Sequence, residues 1–159
     1  MASGAYLKIK GQKQGLIKGS VTQKGREGLI EVHSWTWNLE SPRDPASGLP
    51  TGKVVAGEFF ITKEKDKSSP LLLTALANNE NITEWELDLW DPSTSGVEVN
   101  TFTWKLTNAS ISSIRTSGLA PPPSGSWGDP EEITFTFQSL EMVLNDGGVT
   151  FQFDRDVAP

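Results

Sequence analysis

Few residues in this 159-residue chain have side chains that could carry out catalysis. There is one histidine, His33, and no cysteine, which excludes thiol chemistry, disulfides and thiolate metal sites. The neighbour of His33, Ser34, points to the opposite face of a predicted strand, so the two cannot act as a nucleophile and its base. A single histidine without cysteine also supplies too few ligands for zinc or copper. We therefore predict a protein that is not an enzyme, with no catalytic residues, cofactor or metal.

Acidic residues and tryptophans keep two other kinds of site open. The chain has 20 acidic residues, and two suitably spaced carboxylates would hydrolyse a glycosidic bond. Exposed tryptophans on a β-sandwich would instead form a platform for a sugar ring. The six tryptophans are Trp35, Trp37, Trp85, Trp90, Trp104 and Trp127. Four of the six fall inside predicted strands, which favours packing in a core or an interface over a sugar-binding platform.

Charge is distributed unevenly along the chain. The net charge is −6, which disfavours nucleic acid as a partner. Six basic residues precede the first acidic residue, Glu27. We therefore expect basic side chains near the start of the chain to contact acidic surface on a neighbouring copy of the protein. The candidates for these charge contacts are Lys8, Lys10 and Lys13 on one side and Glu84, Glu86 and Asp88 on the other.

No segment is long and apolar enough to predict a membrane anchor. The longest apolar run, from Leu71 to Ala77, is far shorter than the ~20 residues that a spanning helix needs. The first residues of the chain lack the apolar core of a signal peptide. We therefore expect neither membrane insertion nor export by the general secretory route.

Strand signals dominate the chain. In residues 84–89 apolar and acidic side chains alternate, which predicts a strand with one solvated face. Further strands are predicted at residues 29–40, 97–106, 133–137, 140–144 and 149–153. Changes of parity near Asn100 and Ser139 predict β-bulges, which allow sheets to curl. We predict a mainly β fold, a small β-barrel of two packed antiparallel sheets, in a single domain spanning residues 1–159.

One short α-helix is predicted, from about Pro70 to Asn78. Ser69 would cap it, because a serine oxygen accepts an orphan amide hydrogen and a proline at the first helical position has none to offer. Asn78 and Asn79 suit the left-handed conformation that ends a helix. Three consecutive leucines spread around the helix, so one side is expected to face a partner. The residues assigned to the helix start and to this partner-facing side are Ser69, Pro70, Leu71, Leu72 and Leu73.

Several segments, in order along the chain, carry a resemblance to one protein family. They are residues 19–25 (GSVTQKG), 41–53 (SPRDPASGLPTGK), 61–64 (ITKE), 66–72 (DKSSPLL), 79–83 (NENIT), 106–111 (LTNASI) and 146–148 (DGG). With these segments the chain resembles the haemolysin-coregulated protein (Hcp) family of bacterial type VI secretion over nearly its whole length. Two segments depart from the family pattern, Ala56 to Glu58 before the ITKE strand and Phe151 to Arg155 after the glycine turn.

The resemblance implies a structural protein. It implies a small β-barrel with one helix that assembles into hexameric rings, which stack into the inner tube of a contractile injection machine. The implied partners are other copies of the chain, the type VI sheath, the spike protein and effector cargo held in the lumen. The implied location is the bacterial cytoplasm, followed by export to the extracellular space or a target cell without a signal peptide.

A long loop rich in proline, glycine and serine is our candidate for contact between stacked rings. A loop of this length in a compact domain is commonly functional. The residues assigned to the contact are Ser41, Pro42, Arg43, Asp44, Ser47, Leu49, Pro50, Thr51 and Lys53. Three alternatives stay open at this point. They are a monomeric β-sandwich carbohydrate-binding module, a hydrolase with two carboxylates, and a secreted orphan Hcp-like effector or adaptor.

Overall fold

The structure is a computed structural model that describes residues 4–122, 124 and 128–155. These residues form 13 β-strands and one α-helix, so the predicted mainly β fold with one short helix is confirmed. In chain order the elements are β1 (Gly4–Gly11), β2 (Gly15–Leu16), β3 (Ile30–Val32), β4 (Ser34–Thr36), β5 (Leu39–Glu40), β6 (Val55–Ala56), β7 (Phe59–Glu64), α1 (Ser69–Ala77), β8 (Ile82–Pro92), β9 (Glu98–Thr107), β10 (Ser110–Thr116), β11 (Pro130–Thr136), β12 (Ser139–Leu144) and β13 (Val149–Asp154).

Two antiparallel sheets enclose the core. The larger sheet has seven strands in the order β13-β12-β9-β8-β1-β2, with β3 also paired to β1, and the smaller has four in the order β10-β11-β7-β4. Between them the ring of Trp85 on β8 lies 4.9 Å from that of Phe59 on β7 and 5.5 Å from that of Phe135 on β11. All three side chains are buried, and burial of such large rings is the main stabilising contribution of a core.

The chain crosses between the two sheets at two places, one within the strand predicted at residues 29–40 and one at the bulge predicted near Ser139. Within residues 29–40, β3 pairs with β1 of the larger sheet and β4 pairs with β7 of the smaller sheet. The bulge predicted near Ser139 is also wrong, because β11 belongs to the smaller sheet and β12 to the larger one. Phe137, between those two strands, is buried. The change of parity there reflects a change of sheet, which a period of two residues does not distinguish from a bulge.

The bulge predicted near Asn100 is confirmed. Leu89 of β8 pairs with Phe102 of β9, but the next residue, Trp90, pairs with Asn100. Thr101 is therefore the extra residue. Its hydroxyl donates a hydrogen bond to the carboxylate of the neighbouring strand's Asp91, with an O–O distance of 2.6 Å. The β8 and β9 hairpin is redirected beyond this point, as bulges generally do.

The helix begins one residue earlier than predicted, and its start is built differently. The N-cap is Ser68, which makes no side-chain capping bond, and Pro70 stands in the first turn as expected. Ser69 lies inside the helix, where its hydroxyl donates to Glu131 Oε1 at 2.8 Å and accepts a hydrogen bond from the backbone N–H of Asp66, which precedes the helix, at 2.9 Å. Asn79 has φ of 48°, so the predicted left-handed termination is confirmed.

Burial divides the helix into an inner and an outer side. Leu72 and Ala75 are buried in the core, so the expectation that Leu72 faces a partner is corrected. Ser69, which was assigned to the helix start, is buried as well. Leu71 and Leu73 lie exposed on the outer side. In the part of the chain that the structure describes, no helix combines the length and the apolar character that a membrane span requires.

Candidate assembly surfaces

The loop assigned to ring contacts forms a folded arm, which we define as residues 39–56. β5 and β6 pair at its base. Near its tip the backbone N–H of Asp44 donates to Leu49 O at 2.8 Å. The Asp44 carboxylate accepts a hydrogen bond from the Ser47 hydroxyl at 2.8 Å, and this bond and the Ala46 amide lower the pKa of Asp44. The arm is therefore a structured projection.

Large apolar side chains are exposed along the arm. They are Leu39, Leu49, Val54 and Val55, and Leu49 is 64% exposed. Clustered exposure of this kind on one projection is typical of a contact surface for another protein. All nine residues assigned to ring stacking lie on the arm, where Ser41 and Asp44 are half-buried and the others are exposed. Their contact with a neighbouring ring stays a prediction.

Aromatic and cationic side chains fix the base of the arm to the two sheets. The ring of Trp37 packs against those of Phe137 and Phe153, with both centroids 6.4 Å away. The guanidinium of Arg155 lies 4.8 Å from the centre of the Phe137 ring, and its Nε donates to Phe137 O at 2.7 Å. A cation over an aromatic ring at this distance is stabilising. Arg155 is a positioning residue that the sequence analysis missed.

The two segments that depart from the family pattern meet at this base. Gly57 O accepts a hydrogen bond from Trp37 Nε1 at 3.0 Å and one from Arg155 Nη2 at 3.5 Å. Residues 56–58 and 151–155 therefore contact each other, although Gly57 and Arg155 are 98 positions apart in the sequence. No local pattern in a single sequence signals a contact of that separation.

Two of the three lysines assigned to contacts between copies form ion pairs within the chain. Lys8 Nζ lies 3.3 Å from Glu84 Oε1, and Lys10 Nζ lies 3.2 Å from Glu84 Oε2. β1 and β8 are antiparallel neighbours, which places these residues side by side. These side chains therefore have partners within their own chain, and the contact with a neighbouring copy predicted for Lys8, Lys10, Lys13 and Glu84 stays a prediction. Burial alone would raise the pKa of Glu84, but hydrogen bonds from the two lysines lower it.

Glu80 is a buried carboxylate that the sequence analysis missed. Its Oε2 accepts hydrogen bonds from the backbone N–H groups of Lys13 and Gln14, both at 2.9 Å. These bonds, that of Gln14 first, lower the pKa of Glu80. A β-carbon at Gly11 would collide with the Glu80 carboxylate, so a larger residue there would displace that carboxylate from its amide donors. The turn between β1 and β2 is thus tied to the end of the helix.

The outer face of the larger sheet carries charges that alternate from strand to strand. Lys8 on β1, Glu86 on β8, Lys105 on β9 and Glu141 on β12 stand in one row of directly paired residues. We call this surface the polar face. Burial raises the pKa of Glu86, and the charge of Asp88 adds to that effect. Opposite charges that face each other across strands stabilise a sheet.

Asp88, two residues further along β8, is another half-buried acid of the polar face. Its Oδ1 accepts a hydrogen bond from the Thr103 hydroxyl at 3.0 Å. Burial nevertheless raises the pKa of Asp88, outweighing that bond. Glu86 and Asp88 therefore lie on a surface of their own chain, and an additional contact with a neighbouring copy stays a prediction.

β13 forms one edge of the larger sheet, and β10 forms one edge of the smaller sheet. Val149 and Phe151 on β13 are exposed although they point to the apolar side of the sheet. Exposed apolar edge strands pair readily with other chains unless they are covered. This edge is a second candidate contact surface.

The tryptophans pack in an aromatic cluster rather than on a flat platform. Trp85 and Trp104 are buried, and the Trp104 ring has Trp35 at 5.4 Å and Trp37 at 5.9 Å. Trp127 lies outside the described residues. This arrangement gives the carbohydrate-binding alternative no support. Among residues 4–122, 124 and 128–155, no group of three histidine, cysteine or acidic side chains is placed to hold a metal ion.

Comparisons with known proteins agree with this architecture. The family model described as "Type VI secretion system effector, Hcp" matches residues 6–143. The Major exported protein of Pseudomonas aeruginosa is 34% identical over 151 residues, covering 88% of this chain and 88% of the relative.

Solved structures named as Hcp proteins have the same fold. A mutant of Hcp1 from E. coli EAEC 042 superposes with a TM-score of 0.85 at 27% identity, covering 96% of this chain and 99% of that one. The secreted protein Hcp3 from Pseudomonas aeruginosa superposes with a TM-score of 0.81 at 27% identity, covering 98% and 100%. The chain is thus a component of type VI secretion. It belongs to the Hcp family.

Proposed function

We propose that this protein is the structural subunit of a type VI secretion tube, assembled as six-membered rings that stack end to end. The observation that carries the proposal is the match of the Hcp family model to residues 6–143, which include the whole arm and most of both sheets. The proposed role is structural and involves no catalytic step.

Stacking is supported by unlike surfaces at the two ends of the larger sheet. The base of the arm packs beside Phe137 and Phe153, near the end where β12 begins and β13 finishes. The turn of the β8 and β9 hairpin, at residues 93–97, lies beyond the pairing of Gly4 with Trp90, at the other end. Different surfaces at two ends suit a heterologous contact, which repeats without closing and so builds a filament.

Within a ring, we assign the β13 edge to contact with the adjacent subunit, because assembly would cover its exposed Val149 and Phe151. The polar face is assigned to the lumen, where hydrated charges of both signs and few apolar side chains would let effector cargo pass without sticking. The sheath and the spike are the further partners proposed. Export of this chain from the bacterial cytoplasm is supported by the name of its relative, Major exported protein.

The arm assignment is tested with a pair of matched leucine variants. Leu49 is 64% exposed on the arm, and Leu119 is 65% exposed on the loop after β10. Leu49→Asp should leave rings intact and abolish stacking, because a charge would be buried in the ring contact. Leu119→Asp should stack like the unmodified protein. Negative-stain microscopy scores the tubes, and light scattering after gel filtration gives the mass of the ring.

Two outcomes would contradict the proposal. A monomer at high concentration and low salt would refute the ring itself. Rings of Leu49→Asp that stack as well as those of Leu119→Asp would refute the role of the arm while leaving the ring in place.

A further inference from the structure

Arg26 is a buried residue in a loop that is mostly exposed. The loop spans residues 19–29 and is closed by a hydrogen bond from Gly19 N to Gly28 O at 2.9 Å. Arg26 is 8% exposed, whereas both of its sequence neighbours are exposed. Arginine is rarely buried unless it is paired, so its surroundings call for a physical explanation.

The Arg26 guanidinium is held by two rings and a carboxylate. It lies 4.5 Å from the centre of the Trp90 ring and 5.0 Å from that of Tyr6. Its Nη2 lies 2.5 Å from Glu98 Oε2. The Tyr6 hydroxyl in turn donates to Gln23 Oε1 at 2.8 Å, which fixes the loop from a second side. A planar cation that stacks on rings while bonding a carboxylate is a role that lysine does not reproduce.

The hairpin residues held by Arg26, Trp90 and Glu98, lie where the β8 and β9 hairpin extends beyond its flanking strands. Pairing of β1 with β8 ends at Trp90, and pairing of β12 with β9 ends at Phe102. Beyond these points the two hairpin strands pair with each other, up to Pro92 and Glu98. Trp90 and Glu98 are therefore the places where a contact from outside can fix the direction of the hairpin tip.

Stability alone is a poor explanation for this cluster. The Nε–H of Arg26 is buried and has no hydrogen-bond partner among the described residues. An ion pair that leaves a buried donor unsatisfied recovers little of its desolvation cost, and an apolar side chain of similar size would serve stability as well. An apolar side chain, however, would not hold the loop against the hairpin in one fixed geometry.

We propose that Arg26 is a positioning residue that clasps the 19–29 loop to the β8 and β9 hairpin, so that the hairpin tip and the loop present one rigid surface. Val97 and Val99 are exposed on that hairpin. The occupant of the surface is a second copy of the chain, because it lies at the end of the sheet opposite the apolar arm. This second step rests on the proposed function, whereas the clasp itself does not.

The clasp is tested by hydrogen–deuterium exchange of the peptide spanning residues 90–99. Arg26→Met keeps most of the stem volume and removes the charge, so exchange in this peptide should become about tenfold faster while the core strands are unaffected. Arg26→Lys should be intermediate, because it keeps the charge and loses the planar stack. Lys24→Met removes the same charge from an exposed position of the same loop and should change nothing.

Unchanged exchange in Arg26→Met would overturn the clasp. If that variant does not fold, the same exchange measurement is made on Glu98→Gln and Arg26→Lys. Exchange that becomes equally faster in the whole chain would show that Arg26 stabilises the core instead. For stacking, Arg26→Met should form rings that no longer stack, while Lys24→Met stacks normally. Normal stacking with a loosened hairpin would overturn the positioning role. Failure of the unmodified protein to form rings would refute the proposed function and leave the exchange result standing.

Discussion

Replacing Lys63 by methionine should strongly destabilise the fold, because Lys63 is a fully buried cation with several partners. Its Nζ lies 2.5 Å from Glu131 Oε1 and 3.2 Å from Asp66 Oδ1. It also donates to the Glu64 carbonyl at 2.8 Å and to the Ser69 hydroxyl at 3.3 Å. This cluster fixes the start of α1 on the smaller sheet.

The magnitude follows from what the variant leaves behind. Methionine fills the space of the lysine stem, but Glu131, which is 3% exposed, loses its ion-pair partner and keeps the hydrogen bond from the Ser69 hydroxyl. Breaking a buried pair by removing one partner costs about 3–5 kcal/mol. The total free energy of unfolding of a domain is about 5–15 kcal/mol, so the loss is a large fraction of it. Replacing both charges, in Lys63→Met with Glu131→Leu, should recover most of the loss.

Urea unfolding of the two single variants and the double variant measures the coupling between the sites. Lys65→Met is the control, since Lys65 pairs with Asp129 at the exposed surface and its loss should matter little. Two results would refute the reasoning. One is a cost for Lys63→Met no larger than that of the control, and the other is a double variant whose loss equals the sum of the single losses.

Three further predictions concern carboxylates. Gly11→Ala should displace the Glu80 carboxylate from its amide donors and cost about 1–3 kcal/mol in urea unfolding. In Glu80→Gln the free energy of unfolding should decrease less as the pH is lowered than it does in the unmodified protein. The pKa of Glu80 is lowered by folding, so its stabilising contribution is present above its ordinary pKa of 4.5 and is lost as pH falls through the folded value. Asp88→Asn should stabilise the protein at neutral pH, because folding raises the pKa of Asp88 and charging it there is unfavourable. That gain should shrink as pH falls towards the ordinary Asp88 pKa of 3.8, where the native acid is protonated.

Each of these has a result that would count against it. Equal stability of Gly11→Ala and the unmodified protein would mean that Glu80 finds equivalent donors elsewhere. If the stability of Glu80→Gln falls at acid pH as steeply as that of the unmodified protein, Glu80 is not the source of that loss. A loss of stability in Asp88→Asn at pH 7 would show that the Thr103 bond outweighs burial.

Local patterns predicted the elements that are governed by local physics. The alternation in residues 84–89 predicted β8 correctly, because one side of that strand packs in the core and the other side forms part of the polar face. Asn79 ends the helix because asparagine tolerates positive φ. The length and composition of residues 41–53 predicted a functional loop, and the structure places that segment on the arm, whose contact with another ring stays a prediction.

What the sequence analysis missed depends on pairing between distant segments. Lys8 and Glu84 look like charges available to a partner until β1 and β8 are seen to be neighbours. Serine is a residue type that commonly caps helices. In the structure, however, the Ser69 hydroxyl forms hydrogen bonds with the buried side chains of Lys63 and Glu131. In both cases a tertiary contact overrides a local preference, and one sequence does not report which contact wins.

The joint at the base of the arm has a consequence for exchanging parts between relatives. Gly57 and Arg155 touch although they belong to segments far apart in the chain. A chimaera that takes only residues 56–58, or only 151–155, from another family member would combine halves that were never matched. Grafting should therefore transfer both segments together, so that the arm leaves the domain at the angle of its donor.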